Sequence, residues 1–139
     1  NNPNHWVLEP DIYMLNNKVC RIFILLSVMF LISCSESLDI QLPPEVKVFT
    51  NNGNQQGIRL TSTDKEYAVL SQWLREHRSD WHFTSGKYPG GVYIKSGQYG
   101  IQITQTHVIL YSTTSPEPQA VYIQKISKSE LSEIKNMGQ

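Results

Sequence analysis

Cysteine is nearly absent from this chain, since Cys20 and Cys34 are the only two among 139 residues. Two cysteines cannot build a disulfide framework, so the class of small folds that several disulfides hold together is excluded. An excess of charge is absent too, because twelve Lys and Arg balance twelve Asp and Glu and neither sign is grouped along the chain. Nucleic-acid binders normally carry a basic stripe, and attachment to acidic lipid headgroups needs a polybasic segment. The sequence therefore favours neither class.

A long apolar run is also missing. The longest one, residues 22–32, would extend only about 16 Å as a helix, against a hydrocarbon core of about 30 Å, so it is too short to be a transmembrane helix. It is apolar on every side, which disfavours a helix packed on the surface of a small domain. Lys18 and Arg21 precede the run. A basic segment followed by a short apolar run is the order of an export signal peptide.

The residues before this basic segment differ in character. Residues 1–13 are polar, contain Pro3 and Pro10, and show no apolar period. Met14 opens the basic segment, so we take it as the start of translation. We predict that residues 14–33 are the signal peptide and that residues 1–13 are a non-native upstream extension.

The apolar run ends in Leu31-Ile32-Ser33-Cys34. This tetrapeptide resembles the lipobox of bacterial lipoproteins, which has a branched apolar residue, a tolerated residue, a small residue and then an invariant cysteine. The resemblance covers residues 14–34. It implies that the Cys34 thiol receives a diacylglyceryl group, that a dedicated peptidase cuts between Ser33 and Cys34, and that the new amino terminus is acylated. Ile32 departs from the usual pattern, in which Ser or Ala is more common.

Cysteine usage agrees with lipidation. Cys20 lies in the signal peptide, so the processed protein would keep Cys34 alone, with no disulfide partner. Each buried methylene of an acyl chain contributes about 0.8 kcal/mol, so two or three chains anchor a protein stably to a membrane. In the lipoproteins that this segment resembles, Asp after the cysteine favours the inner membrane. Ser35 therefore favours the periplasmic face of the outer membrane, with the inner membrane as the alternative. We predict a lipidated tether over residues 34–44 and no cofactor besides the lipid.

Residues 45–139 predict one small α+β domain. The runs with a strand-like pattern are 45–50, 57–61, 92–94, 99–103, 107–113 and 120–126. The capping-box pattern from Thr63 to Glu66 predicts an amphipathic helix that continues to about Arg78. Residues 127–130 predict the start of a short C-terminal helix that ends near Gly138. The regular strand spacing indicates an antiparallel β-meander packed against the amphipathic helix.

The candidates for catalysis and metal binding are few. His77 and His82 flank Asp80, but His77 falls in the apolar arc of the predicted helix and His82 should face the other way, so we predict no metal site. His107 has no evident partner, no serine lies in a Gly-x-Ser-x-Gly turn, and the carboxylates are spread singly. We therefore predict no catalytic residue, and an uncharacterised envelope hydrolase remains the alternative.

Aromatic residues are the remaining indication of function. We predict that Trp81, Tyr88, Tyr93 and Tyr99 contact a partner, because tyrosine and tryptophan are enriched at interaction surfaces. Core packing is the alternative for the same residues. A polar-aromatic sheet face for a protein or glycan would also include Tyr111, Tyr122, Gln98, Gln102, Gln105 and Gln124. The predicted function is a non-catalytic protein-binding lipoprotein of inhibitor or immunity type. A structural or assembly lipoprotein of an envelope or secretion complex is the alternative.

Overall fold

The computed structural model describes residues 35–51 and 55–139, so the predicted signal peptide and Cys34 lie outside the described residues. The strands are β1 (Glu45–Phe49), β2 (Ile58–Thr61), β3 (His82–Phe83), β4 (Val92–Ser96), β5 (Tyr99–Ile103), β6 (His107–Ser112) and β7 (Gln119–Lys125). The helices are α1 (Lys65–Glu76) and α2 (Ser132–Lys135), and a 3-10 turn over Asn136–Gly138 follows.

All seven strands form one antiparallel sheet in the order β2-β1-β4-β5-β6-β7-β3. The predicted antiparallel sheet and the short C-terminal helix are confirmed. Strands β4 to β7 are a meander, with the β1–β2 hairpin beside β4 at one edge. Strand β3, which the sequence did not predict, pairs with β7 at the other edge.

Because β3 and β4 follow each other in the chain but lie four positions apart in the sheet, their connection must cross the sheet. Four strand spacings amount to about 19 Å, and the eight residues 84–91 can span at most about 28 Å. The segment is therefore long enough to cross β7, β6 and β5 without being fully extended, and it lies over Gln102 of β5. We call residues 84–91 the crossing loop.

One face of the sheet, the core face, carries the hydrophobic core. Fully buried apolar side chains in cross-strand register form a row over four neighbouring strands: Val48, Ile94, Ile101 and Leu110. The buried residues of α1 and α2 that close this core are Leu70, Trp73, Leu74 and Ile134. Alternate strand residues point to the opposite side. We call that side, which the crossing loop traverses, the open face.

Helix α1 ends at Glu76, two residues before the predicted end. His77 leaves the helical conformation, with φ −112° and ψ 53°, so the helix stops before it. The carbonyl of His77 accepts a hydrogen bond from the indole Nε1–H of Trp81 at 2.9 Å, and that of Arg78 accepts one from the backbone N–H of Leu38 at 2.7 Å.

The predicted tether over residues 34–44 is, in its described part, bound to the domain. Glu36 and Trp81 exchange backbone hydrogen bonds in an antiparallel bridge. Ile40 is buried in the core, and the Tyr67 hydroxyl donates to the carbonyl of Pro43 at 2.7 Å. The compact unit accordingly begins at Ser35 and not at Glu45.

The C-terminal helix begins later than predicted, at Ser132, because Leu131 has a left-handed backbone conformation with φ 56°. Glu130 still makes the predicted capping contact across residues 127–130, since its Oε2 accepts the backbone N–H of Ser127 at 2.6 Å. Its other carboxylate oxygen accepts the Trp73 indole N–H at 3.2 Å and lies 3.4 Å from His77 Nε2. Glu130 thus joins the C-terminal segment to α1.

The Glu130 carboxylate should make the stability of the domain pH-dependent. The backbone hydrogen bond from Ser127, followed by that from Trp73, lowers the pKa of Glu130 below its ordinary value of 4.5. A lowered folded-state pKa contributes stability above the unfolded-state pKa, and this stability is lost as pH falls through the folded-state pKa. We expect Glu130→Gln to lower the free energy of unfolding by about 1 kcal/mol near neutral pH. The difference from the wild type should shrink in acid, as measured by urea unfolding.

Glu117 offers a matched control, because it is exposed and has no partner among the residues that the structure describes. Glu117→Gln should leave the free energy of unfolding within about 0.5 kcal/mol of the wild type at every pH. A Glu130→Gln effect of the same size in acid and at neutral pH would contradict the assigned role of the carboxylate.

Candidate binding surface

A buried glutamine fixes the crossing loop on the open face. Gln102 lies on β5, and its Nε2 donates hydrogen bonds to the carbonyls of Tyr88 at 2.8 Å and Gly90 at 2.6 Å. Its Oε1 accepts the hydroxyl of Tyr111 at 2.6 Å. The amide therefore uses both its donors and its acceptor, so the loop and the Tyr111 side chain are held in a defined position.

Three half-buried tyrosines surround this glutamine, and we call Tyr88, Tyr93 and Tyr111 the tyrosine cluster. The Tyr93 and Tyr111 rings meet edge to face with 5.9 Å between centroids, and the Tyr88 hydroxyl bonds the Thr84 hydroxyl at 2.5 Å. Burial raises the pKa of both Tyr93 and Tyr111. These two phenols stay protonated at physiological pH and remain hydrogen-bond donors.

Gly100 provides the room for Tyr93. It lies opposite Tyr111 in the β5–β6 register, and a Cβ atom at residue 100 would overlap the Tyr93 hydroxyl. The absence of a side chain on this central strand thus lets the Tyr93 ring lie flat over the backbone. A glycine inside a strand often marks such a close approach.

Two hollows border the tyrosine cluster on either side of Pro118. One, of about 520 Å³, lies between the crossing loop and the loop before β7, and its lining includes Phe83, Lys87, Tyr88 and Tyr111. The other, of about 480 Å³, is lined by Tyr93, Lys95, Gly97, Thr113, Ser115, Pro116 and Pro118. Both volumes lie within the range of ligand-binding clefts.

Three cations form a row on the open face beside the tyrosine cluster. Arg59 on β2 lies opposite Lys47 on β1, and Lys47 lies opposite Lys95 on β4. Arg59 has an acidic partner, Glu45, at 2.7 Å. Within residues 35–51 and 55–139, neither Lys47 nor Lys95 has a carboxylate at ion-pair distance. Like charges directly opposite each other in a sheet are destabilising, so folding by itself does not account for this cationic row.

Two of the four predicted partner-binding residues belong to the open face. Tyr88 and Tyr93 are members of the tyrosine cluster. Trp81 is fully buried in the core, where its ring meets that of Trp73 edge to face. It is therefore a core residue, and the prediction that it contacts a partner is corrected. Tyr99 is 39% exposed but lies on the core-face side of β5, at a hollow with Gln41 and Leu42.

The four glutamines of the predicted polar face are likewise separated. Gln102 alone lies in the tyrosine cluster. Gln124 is buried on the core face, where its Nε2 donates to the carbonyl of Ser79 at 3.1 Å, and Gln98 lies in the turn between β4 and β5. Gln105 is exposed between β5 and β6. Side chains along a strand alternate between the two faces of the sheet. The position of each glutamine in its strand therefore decides its face, which is the open face for Gln102 and the core face for Gln124.

The histidines are also placed apart. His77 stacks on Trp73 with 4.3 Å between ring centroids and its Nδ1 donates to the carbonyl of Trp73 at 2.9 Å. His82 lies on β3, and His107 Nδ1 is 2.8 Å from the hydroxyl oxygen of Thr106. Over the part of the chain that the structure describes, no three His, Cys, Asp or Glu side chains are grouped so as to hold a metal ion.

Sequence reasoning missed the cationic row and the exposed Phe83. The alternation of Glu45, Val46, Lys47 and Val48 placed Lys47 on the outer side of its strand, but nothing local aligned it with Lys95. That alignment depends on the pairing of β1 with β4, whose residues are more than forty positions apart.

Comparison with protein-family models, with curated proteins and with solved structures finds no match to this chain. Among the described residues, no helix is both long enough and apolar enough to cross a membrane.

Proposed function

We propose that this protein is a bacterial envelope lipoprotein, anchored through lipid on Cys34, whose domain binds a protein partner through the open face and catalyses no reaction. In this proposal the amphipathic helix α1 covers the core face, and the part of the open face that the crossing loop leaves uncovered is available to a partner. The proposed site is the periplasmic face of the outer membrane. The inhibitor or immunity type is the form of the proposal that we favour.

The cationic row beside the tyrosine cluster carries this proposal. Lys47 and Lys95 lie opposite each other without an acidic partner among the described residues, which costs stability in the free domain. Acidic side chains of a binding partner would remove that cost. The adjoining tyrosines offer large, rigid contact areas with hydroxyl groups, which are common at the centres of protein interfaces. Gln102 holds the crossing loop and Tyr111 in advance, which reduces the conformational entropy lost on binding. A partner with an acidic, hydrogen-bonding surface fits these features.

The proposal predicts that charge reversal in the cationic row weakens binding without weakening the fold. Lys95→Glu should leave the free energy of unfolding unchanged or raise it slightly, because the new carboxylate faces Lys47 across β1 and β4. The same change should weaken binding to the partner at least about tenfold, which corresponds to about 1.4 kcal/mol. The partner would first be captured by crosslinking from native envelopes, and its affinity for the purified protein would then be measured by calorimetry.

Lys65→Glu is the matched control, because Lys65 is an exposed lysine on α1 with its own partner, Glu133, at 3.4 Å. This variant should lose a little stability and keep full affinity. Equal loss of affinity in both variants would indicate a general charge effect. An unchanged affinity in Lys95→Glu would contradict the open face as the binding surface.

A structural or assembly lipoprotein is the second candidate, and the bound N-terminal segment favours it. Because Glu36 is hydrogen-bonded to the domain, at most a few residues separate the domain from a lipid on Cys34. Such a protein would reach only partners close to the membrane. Co-purification with integral membrane proteins would support this candidate, whereas a one-to-one complex with a soluble enzyme would support the inhibitor type.

A further inference from the structure

Phe83 is the most exposed large apolar side chain of the described residues, with 74% of its surface accessible. It lies on the edge strand β3, and its ring and that of Tyr122 are perpendicular, with 6.4 Å between centroids. A phenylalanine on a two-residue edge strand is not needed for the core, and an exposed apolar group at a sheet edge is a liability in water. A second surface that covers Phe83 would account for it.

The direction of the N-terminal segment relates this edge to the predicted anchor. Glu36 pairs with Trp81 in an antiparallel bridge, on the side of Trp81 that does not face β7. In an antiparallel pair, the chain before Glu36 runs in the direction in which the chain after Trp81 continues. Ser35, where the described segment begins, therefore lies alongside His82, the neighbour of Phe83 in β3. A lipid on Cys34 would be attached only two residues before Glu36, which is at most about 8 Å of chain.

We propose that the edge formed by β3 lies on the lipid bilayer and that Phe83 enters the interfacial region beside the anchor. This inference rests on the proposed lipidation of Cys34. An aromatic ring suits the boundary between headgroups and acyl chains, and the neighbouring Lys87 can extend its stem over apolar surface while its ammonium reaches phosphate oxygens. Acidic groups are also close, namely Glu36 and Asp80, so the contact is primarily apolar and not electrostatic.

This placement orients the whole sheet. The seven strands run from β3 at the membrane to β2 at the far edge, six strand spacings or about 29 Å away. The cationic row on β2, β1 and β4 then lies away from the membrane and is accessible from the aqueous space. The hollow that Phe83 and Lys87 line lies close to the bilayer, so it is not part of the surface left for a partner. Ile58 on β2, which is 38% exposed, is an apolar side chain at the distant edge.

Phe83 and Ile58, which lie at opposite edges of the sheet, allow a matched labelling experiment. In lipidated protein reconstituted into vesicles of phosphatidylethanolamine and phosphatidylglycerol, Phe83→Cys and Ile58→Cys would each carry an environment-sensitive fluorophore. Nitroxide groups on the lipid headgroup and on the upper acyl chain should quench the label at residue 83 at least about twofold and leave the label at residue 58 unquenched. Hydrogen exchange of the unlabelled wild-type lipoprotein is the second measurement. The amides of residues 82–86 should exchange more slowly in the vesicle-bound lipoprotein than in the same protein after its lipid has been removed and in the absence of detergent.

The outcomes separate this inference from the proposed function. Mass spectrometry of the same samples first reports whether Cys34 carries lipid; an unlipidated Cys34 overturns the lipoprotein proposal and this inference with it. With lipid present, no quenching at residue 83, or equal quenching at residues 83 and 58, overturns the membrane contact alone. Slow hydrogen exchange of residues 82–86 in native envelopes but not in pure vesicles would also overturn the membrane contact. In that case a protein, and not lipid, would cover Phe83.

Discussion

A Cys34→Ser variant should lose its lipid and its membrane attachment completely. The proposed modification forms a thioether with the cysteine sulfur, which a serine hydroxyl does not supply, and the predicted cleavage site lies between Ser33 and Cys34. No other strong attachment is expected, because acids and bases are balanced and the apolar run over residues 22–32 is too short to span a bilayer. Mass spectrometry and membrane fractionation of the expressed full chain would measure both losses.

Cys20→Ser is the matched control, since Cys20 is the only other cysteine and lies in the predicted signal peptide. This variant should yield a mature protein identical to the wild type in mass and in membrane association. If Cys34→Ser kept the same mass and stayed in the membrane fraction, the anchor proposal would be wrong. An inhibitor of lipoprotein signal peptidase should block the cut before Cys34 in the wild type, so that a longer chain accumulates.

Gly91→Ala should lower the free energy of unfolding by about 3 kcal/mol. Gly91 ends the crossing loop with φ 79°, a conformation that costs an L residue about 1–2 kcal/mol. A Cβ atom there would also overlap the carbonyl oxygen of Ile103, which belongs to the backbone of β5 and cannot turn aside. Either β5 or the crossing loop must shift, so the carbonyl of Gly90 would move away from Gln102. Urea unfolding measures the loss.

Gly90→Ala separates the cost of steric overlap with Ile103 from the cost of a left-handed backbone conformation. Gly90 has nearly the same φ, 80°, but a Cβ atom there would meet nothing within 4 Å. We expect this variant to lose only about 1 kcal/mol, because it pays for the left-handed backbone alone. If the two variants lost equal free energy of unfolding, overlap with the Ile103 carbonyl would not contribute to the cost of Gly91→Ala. The Gly91→Ala variant should also bind the partner more weakly, since Tyr88 and Tyr111 depend on the same glutamine.

Local patterns predicted most of the strands because each pattern is a property of the strand itself. Tyr99, Ile101 and Ile103 alternate with smaller or polar residues, and they do form β5. Strand β3 was missed because it has two residues, too few for a period to be recognised. The helix ends were displaced by backbone conformations that the sequence pattern does not reveal: non-helical His77 after α1 and left-handed Leu131 before α2.

The candidate site was predictable only in part. Tyr88 and Tyr93 were selected because tyrosine is common at interfaces, and they lie together on the open face. Trp81 satisfied the same criterion and is buried, since a residue type does not specify the face on which its side chain lies. Lys47 and Lys95 gave no local indication, because each is a single lysine in an alternating strand.

Composition and local patterns establish the neutrality of the whole chain and predict the antiparallel sheet, and the prediction of the lipid anchor also rests on them. These depend on composition and on neighbouring residues. The three-dimensional fold alone aligns the three cations, buries Trp81 and exposes Phe83 beside the N-terminal segment. The reason is that a one-residue change of strand register moves every side chain to the other face, and the register is set by pairing between residues far apart in the chain.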